Sequence, residues 1–157
     1  MYTFNKIENS GAKYDFCLKL SIDERTKSRL IKNDDEGNEI AIVLPRGYIL
    51  RGGTVLSGEH SKKLLIIAKD ESVSTVKAKN ANELVKLAYH LGNRHVPLQI
   101  DASGFLRYLH DHVLDDMVEK LGGCVTNESA PFEPESGAYA SSHHHDHSHD
   151  HGHCHEH

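Results

Sequence analysis

The sequence predicts an α+β protein: a small β-rich domain over residues 1–71, a βαββαβ domain over 72–134, and a flexible linker and histidine-rich tail over 135–157. Three observations carry this. The first half alternates short apolar runs with Gly-rich turns. After Glu71, two segments of helical periodicity are interleaved with strand-like runs. The last fifteen residues contain no side chain able to build an apolar core, so they cannot fold on their own account.

In the first half, Phe16 to Leu20 alternates apolar and polar residues as a strand does. Asp34 to Gly37 reads as a turn before the apolar run Ile40 to Leu44. Pro45-Arg46-Gly47 and Arg51-Gly52-Gly53 are further breaks, and Ser57 to His60 reads as a turn before Leu64 to Ala68. Several short strands joined in this way imply a small β unit.

In the second half, Val73 to Ala78 reads as a strand. Asn80 and Glu83 have the spacing of a helix start, and Leu84, Leu87, Ala88 and Leu91 recur at helical spacing, with Gly92 placed to end the helix. Val96 to Ile100 and Gly104 to Leu109 read as strands. Asp111 caps a second helix with the apolar face Val113, Leu114, Met117, Val118 and Leu121, ended by Gly122-Gly123, and Cys124-Val125-Thr126 opens a last strand. Strand, helix, strand, strand, helix, strand is the ferredoxin-like order. Residues from about Pro131 to Ser142 read as linker.

The chain has 157 residues and a formal net charge of −5. That balance speaks against nucleic acid as a partner. No apolar run is long enough to span a bilayer, and the N-terminus lacks the apolar core of a secretory signal, so a cytoplasmic, non-membrane protein is expected. The three cysteines are widely spaced, with no CxxC pair, which speaks against a disulfide framework. Cys17 and Cys124 lie in apolar strand-like contexts and are expected to be buried.

The chemistry is concentrated in histidine. From His143 onward the chain reads HHHDHSHDHGHCHEH, with nine histidines. His145, His147, His149, His151, His153, His155 and His157 stand at every second position, which in an extended chain lines imidazoles along one edge. With His143, His144 and the soft donor Cys154, this is a tract for borderline ions such as Ni²⁺, Zn²⁺ and Cu²⁺. A purification tag would more often be an uninterrupted run, and an ordinary solvated tail would be richer in Glu, Lys and Ser.

Within the folded part, His60 is expected to be solvated in its turn, and His90 to be partly buried or to serve the helix end. His95 follows Gly92 in Gly92-Asn93-Arg94-His95. One imidazole holds a metal poorly, but a two-fold axis presents the same residue twice. His110-Asp111-His112 clusters at a strand-to-helix junction, with surface histidines and an auxiliary metal site weighed about equally. A metal-dependent hydrolase built on that pair would need further ligands and an open coordination position. No HExxH, phosphate loop or Ser-His-Asp arrangement is recognisable, so the chain is not expected to be an enzyme.

Several segments together resemble the urease accessory protein E family, the nickel metallochaperones of urease maturation. They are Asp23 to Arg29, Leu44 to Gly47, Leu50 to Gly53, Tyr89 to Gln99 (YHLGNRHVPLQ), His110 to Gly122 and Pro131 to Tyr139, followed by the histidine tract. The resemblance implies an N-terminal domain similar to a chaperone peptide-binding domain and a homodimer with His95 of each subunit binding nickel at the interface. Tail histidines would complete that site or hold further ions, and His110 and His112 would be auxiliary ligands. It also implies delivery of Ni²⁺ to apo-urease together with an accessory GTPase. A storage or buffering protein for nickel or zinc, with no delivery partner, is the alternative.

Overall fold

The computed structural model describes residues 1–8 and 13–138. Ten strands form two sheets, and the fold is α+β as the sequence predicts. The first sheet holds β1 (Tyr2–Glu8), β2 (Phe16–Leu20), β3 (Arg29–Asn33), β4 (Glu39–Val43), β5 (Val55–Gly58) and β6 (Lys63–Ala68), in the order β2-β6-β5-β1-β4-β3. Two of its pairings are parallel, β1 with β4 and β2 with β6. Phe4, Leu18, Leu20, Ile40, Ile42, Leu56, Leu64 and Ile66 form its core. Alternation explains the selection, since successive strand residues face opposite sides. Leu18 and Leu20 point inward, so Cys17 between them points out. Cys17 is therefore exposed, as is Cys124 on an edge strand, against the expectation that both are buried.

β1 and β3 lack a strong apolar run, and the sequence reading assigned neither as an individual strand; each is held by its neighbour's ladder. Gly58 ends β5 rather than standing in a free turn. A Cβ there would lie 1.9 Å from the Thr3 carbonyl oxygen, where β1 and β5 shift register. A one-turn helix, α1 (Ile22–Arg25), also escaped the sequence reading. Its capping box is reciprocal: Ser21 Oγ accepts from the Glu24 N–H, and Glu24 accepts from the Ser21 N–H. Glu24 also pairs with Lys32 Nζ at 2.9 Å.

The second sheet contains β7 (Asp70–Lys77), β8 (Gln99–Ile100), β9 (Leu106–Leu109) and β10 (Cys124–Pro131), in the order β10-β7-β9-β8 and antiparallel throughout. Fourth, first, third, second is the ferredoxin-like arrangement. Two helices complete it, α2 (Ala81–Asn93) and α3 (His112–Lys120). The caps are as the sequence predicts: Asn80 accepts from the Glu83 N–H at 2.9 Å, and Asp111 Oδ1 accepts from the N–H groups of Val113 and Leu114. Leu87, Leu91, Leu106, Leu114 and Val118 meet in one core.

Four details differ from the sequence reading. The strand expected at Val96 to Ile100 is only Gln99–Ile100. Val113 and Leu121, expected on the buried face of α3, are exposed, while Asp115 is buried. Gly92 does not end α2; the helix runs on to Asn93. The supposed linker is fixed in its first part: Phe132 is fully buried, and the Glu135 N–H donates to the Leu98 carbonyl at 2.8 Å.

The two sheets meet through a buried cation. Only Lys69 separates β6 from β7. Arg25, fully buried, donates to the Leu20 and Leu50 carbonyls on the first-sheet side. Nη1, which serves Leu50, also donates to the Glu133 carboxylate, and Nη2 donates to the Phe132 carbonyl, both beyond β10. Ile22, Val73 and Phe132 form a small apolar cluster beside it. A buried guanidinium is tolerable only when its donors are satisfied. Glu133→Ala, which removes the countercharge, is expected to cost about 2–3 kcal/mol, below the full buried-pair penalty because Glu133 is partly exposed. Urea unfolding measures this, and a loss below about 1 kcal/mol would show that the carbonyls alone satisfy Arg25.

Burial alone would raise the Glu24 pKa. Hydrogen bonds from Lys32 and from the Ser21 N–H, with the lysine's charge, outweigh it and hold the carboxyl below its ordinary 4.5. The stability this contributes is complete above that ordinary value and is lost as pH falls through the depressed one. Thermal melts from neutral pH to about pH 3 should decline more gently in Glu24→Gln than in the parent. Parallel curves would remove the pairing from the acid response.

Candidate metal centre

His95 owes its position to the end of α2. The helix closes with the Arg94 N–H on the Leu91 carbonyl and the His95 N–H on the Gly92 carbonyl, each at 3.1 Å. The residue that turns into the left-handed region is His95 itself, with φ 55°. Glycine is the common choice for that role, because it has no Cβ to clash. Here a histidine occupies it and the ring is exposed.

The second domain exposes several large apolar side chains. On α2, Val85 and Tyr89 stand one turn apart and are 67 % and 66 % exposed, and Ile100, on the two-residue edge strand β8, is 53 % exposed. Residues at i and i+4 share a helix face, and this one is turned away from the Leu84, Leu87, Ala88 and Leu91 core face. His90 is exposed, not partly buried, and meets the Tyr89 ring edge to face at 5.4 Å. A groove next to His95 is lined by Ala88, Gly92, Val96, Leu98, Glu135 and Gly137. The chain leading to the histidine tract thus passes beside His95. It is pinned there by the Glu135–Leu98 hydrogen bond, by the Glu133 N–H on Gln99 at 2.9 Å and by Arg51 on Ser136 at 3.1 Å.

His110 and His112 lie at the other end of the second sheet's chain path. His110 follows β9, and its Nδ1 is 3.3 Å from Asp115 and 3.1 Å from Asn127. His112 is the first residue of α3 and is exposed. Asp111 between them is occupied as the helix cap through Oδ1. His60, in a 3-10 turn at Glu59–Ser61, is solvated as expected, with φ 59°. Among the described residues, no three His, Cys, Asp or Glu side chains come together as a metal-holding group. The tract ligands His143, His144, His145, His147, His149, His151, His153, Cys154, His155 and His157 lie outside the described residues.

Comparison with known proteins is decisive at this point. The model of the UreE urease accessory protein N-terminal domain matches residues 4–69, and that of the C-terminal domain matches residues 71–157. The chain belongs to the UreE urease accessory protein family. A relative named urease accessory protein UreE from Pseudomonas putida is 53 % identical over 128 residues, 81 % of this chain and 76 % of its own length. One from Alkalilimnicola ehrlichii is 48 % identical over 88 % of this chain and 85 % of its own length. One from Escherichia coli O157:H7 is 45 % identical over 93 % and 96 %.

Among the described residues of this UreE chain, no helix is long and apolar enough to cross a membrane. Sequence reasoning singled out His95, His110 and His112 as candidates but missed two features of their surroundings. The exposed apolar pair on α2 was legible as Val85 and Tyr89 four residues apart. The buried Asp115 was not, because its partners come from other elements.

The left-handed backbone at position 95 generates a prediction. Glycine there should relieve about 1 kcal/mol and raise the melting temperature by roughly 3 °C in the metal-free protein. Scanning calorimetry of His95→Gly tests it. An unchanged or lower melting temperature would mean the imidazole makes compensating contacts.

Proposed function

We propose that this UreE protein is a metallochaperone that delivers Ni²⁺ to apo-urease, and that the ion is held between two copies of the chain by the paired His95 residues. The observation that carries this is the exposed His95 imidazole, held at a sterically unfavourable backbone position beside a groove that exposed Ile100 helps to line, on a domain whose α2 also exposes Val85 and Tyr89. Exposed apolar side chains of this kind are what a self-complementary two-fold contact buries. A symmetric pair supplies the second nitrogen that one chain lacks. The relatives' printed name, urease accessory protein, supports urease as the recipient.

The histidine tract is the loading arm in this reading. It follows directly on a segment pinned beside His95, and as a flexible coil of roughly 20 residues it would reach about 25 Å. Its imidazoles and Cys154 would collect ions and pass them to the central pair by ligand exchange. His110 and His112 would hold a further ion. Zn²⁺ and Cu²⁺ would compete for the same donors, and copper would bind more tightly on intrinsic affinity, so nickel specificity depends on supply and geometry. We assign residues 1–71 to a peptide-binding-like domain, 72–134 to the metal-binding and dimerisation domain and 135–157 to linker and tail. The accessory GTPase and the apo-urease complex are the partners in this scheme, and the setting is the cytoplasm.

The histidine density of the tract is what favours the alternative, a nickel or zinc store without a delivery partner. The two readings order the variants oppositely. Delivery makes His95→Ala more damaging to urease activation than removal of residues 143–157; storage reverses this. The direct test is a calorimetric nickel titration of the chain without residues 143–157, alongside its His95→Ala variant, with mass read by light scattering. We expect about one ion per two chains, lost in the variant. No binding after removal of the tract would shift the assignment to storage.

A further inference from the structure

The surroundings of His110 fix which of its nitrogens can bind a metal. Nδ1 faces three oxygens: Asp115 Oδ2 at 3.3 Å, Asn127 Oδ1 at 3.1 Å and Ser74 Oγ at 3.3 Å. Each of them is limited to accepting. The Ser74 hydroxyl proton is committed to Asn127 Oδ1, at 2.9 Å. The other oxygen of Asp115 receives the Tyr108 hydroxyl at 2.6 Å. The second Asp115 oxygen stands beside His110 Nδ1 as an ion-pair contact at 3.3 Å rather than a hydrogen bond, and a carboxylate at that distance favours a proton on the adjacent nitrogen.

Three acceptors around one imidazole nitrogen place the proton on that nitrogen. The lone pair then belongs to Nε2, which has no hydrogen-bond partner among the described residues, on a side chain 40 % exposed. A serine–histidine–aspartate relay is excluded by the same geometry, because Ser74 and Asp115 both meet Nδ1 and a relay needs both ring nitrogens.

We propose that Asn127, through its hydrogen bond, and Asp115, through its charge beside the ring, are positioning residues that hold His110 as the Nδ1–H tautomer and present Nε2 as a ready metal donor. The arrangement does the work of a carboxylate–histidine–metal triad with the roles divided: the Asn127 oxygen orients the ring, and the carboxylate beside it strengthens the ligand. Tyr108 anchors the carboxylate from behind, from the middle of β9. The inference rests on His110 binding metal, as proposed above, but not on the His95 pair.

The test uses the full chain, labelled with ¹⁵N, and reads imidazole nitrogen shifts by NMR, with the His110→Asn spectrum identifying the His110 signals. Zn²⁺, being diamagnetic, is the probe. His110 should show the Nδ1–H pattern without metal, and its Nε2 signal should move on adding Zn²⁺. Asp115→Asn should redistribute the tautomers and weaken Zn²⁺ binding at His110 by about 10- to 100-fold. A far-UV circular dichroism spectrum of Asp115→Asn that matches the parent guards against reading a folding defect as a positioning effect. An Nε2–H tautomer in the parent protein would overturn the proposal, as would an Asp115→Asn variant with unaltered tautomer and affinity. A His110 that is Nδ1–H but indifferent to Zn²⁺ would overturn the metal assignment at this residue alone, leaving the nickel titration at His95 to stand or fall separately.

Discussion

A guanidinium sealed from water at the junction of two sheets constrains everything built around it. Arg25 cannot be buried unless its donors all find acceptors, and no single element supplies enough of them. The first sheet offers the carbonyls of Leu20 and Leu50. The segment after β10 offers the Phe132 carbonyl and the Glu133 carboxylate. Satisfying the cation therefore fixes the path of residues 131–135 across the first sheet's edge. That path in turn places Glu135 and Gly137 along the groove next to His95. The geometry of the candidate metal centre is thus tied to an arginine far from it in the chain.

The two histidine loci use different means of control. At position 95 the backbone does the positioning: a helix end turns through a left-handed residue and leaves the ring exposed. At position 110 the side-chain partners do it, through oxygens converging on one ring nitrogen. The first arrangement leaves the imidazole free to meet a symmetry mate. The second selects one nitrogen in advance. Under the proposed function, the two loci would give an ion one exchangeable ligand and one pre-oriented one.

Features set by neighbours in sequence were legible before the structure. The caps at Asn80 and Asp111, the apolar face of α2, the strand at Phe16–Leu20 and the α+β order all follow from spacing within one or two turns of chain. What escaped depends on distant partners. Arg25 looks like a surface residue until Phe132 and Glu133, more than 100 positions away, are brought to it. Asp115 sits in an apolar stretch and reads as a solvent-facing break until Tyr108 and His110 close over it. The residues Pro131 to Glu135 have the composition of a linker, and only the cation they satisfy makes them structure. At Gly92 the sequence held a usual helix stop, yet the chain turned at His95. The usual glycine of a helix end is replaced there by a histidine with φ 55°.

The same arginine has a consequence for the order of events when the chain is made. The first sheet needs nothing beyond Ala68, so its strands can assemble while the rest is still being synthesised. Arg25 belongs to that early part, but its last two acceptors arrive with Phe132 and Glu133. At about 5–20 residues per second, the intervening 65 or so residues occupy roughly 3–13 s. During that interval the early sheet carries an unsatisfied cation at the very edge where the second sheet will dock. Only when Phe132 and Glu133 have been made can the cation's full set of acceptors assemble.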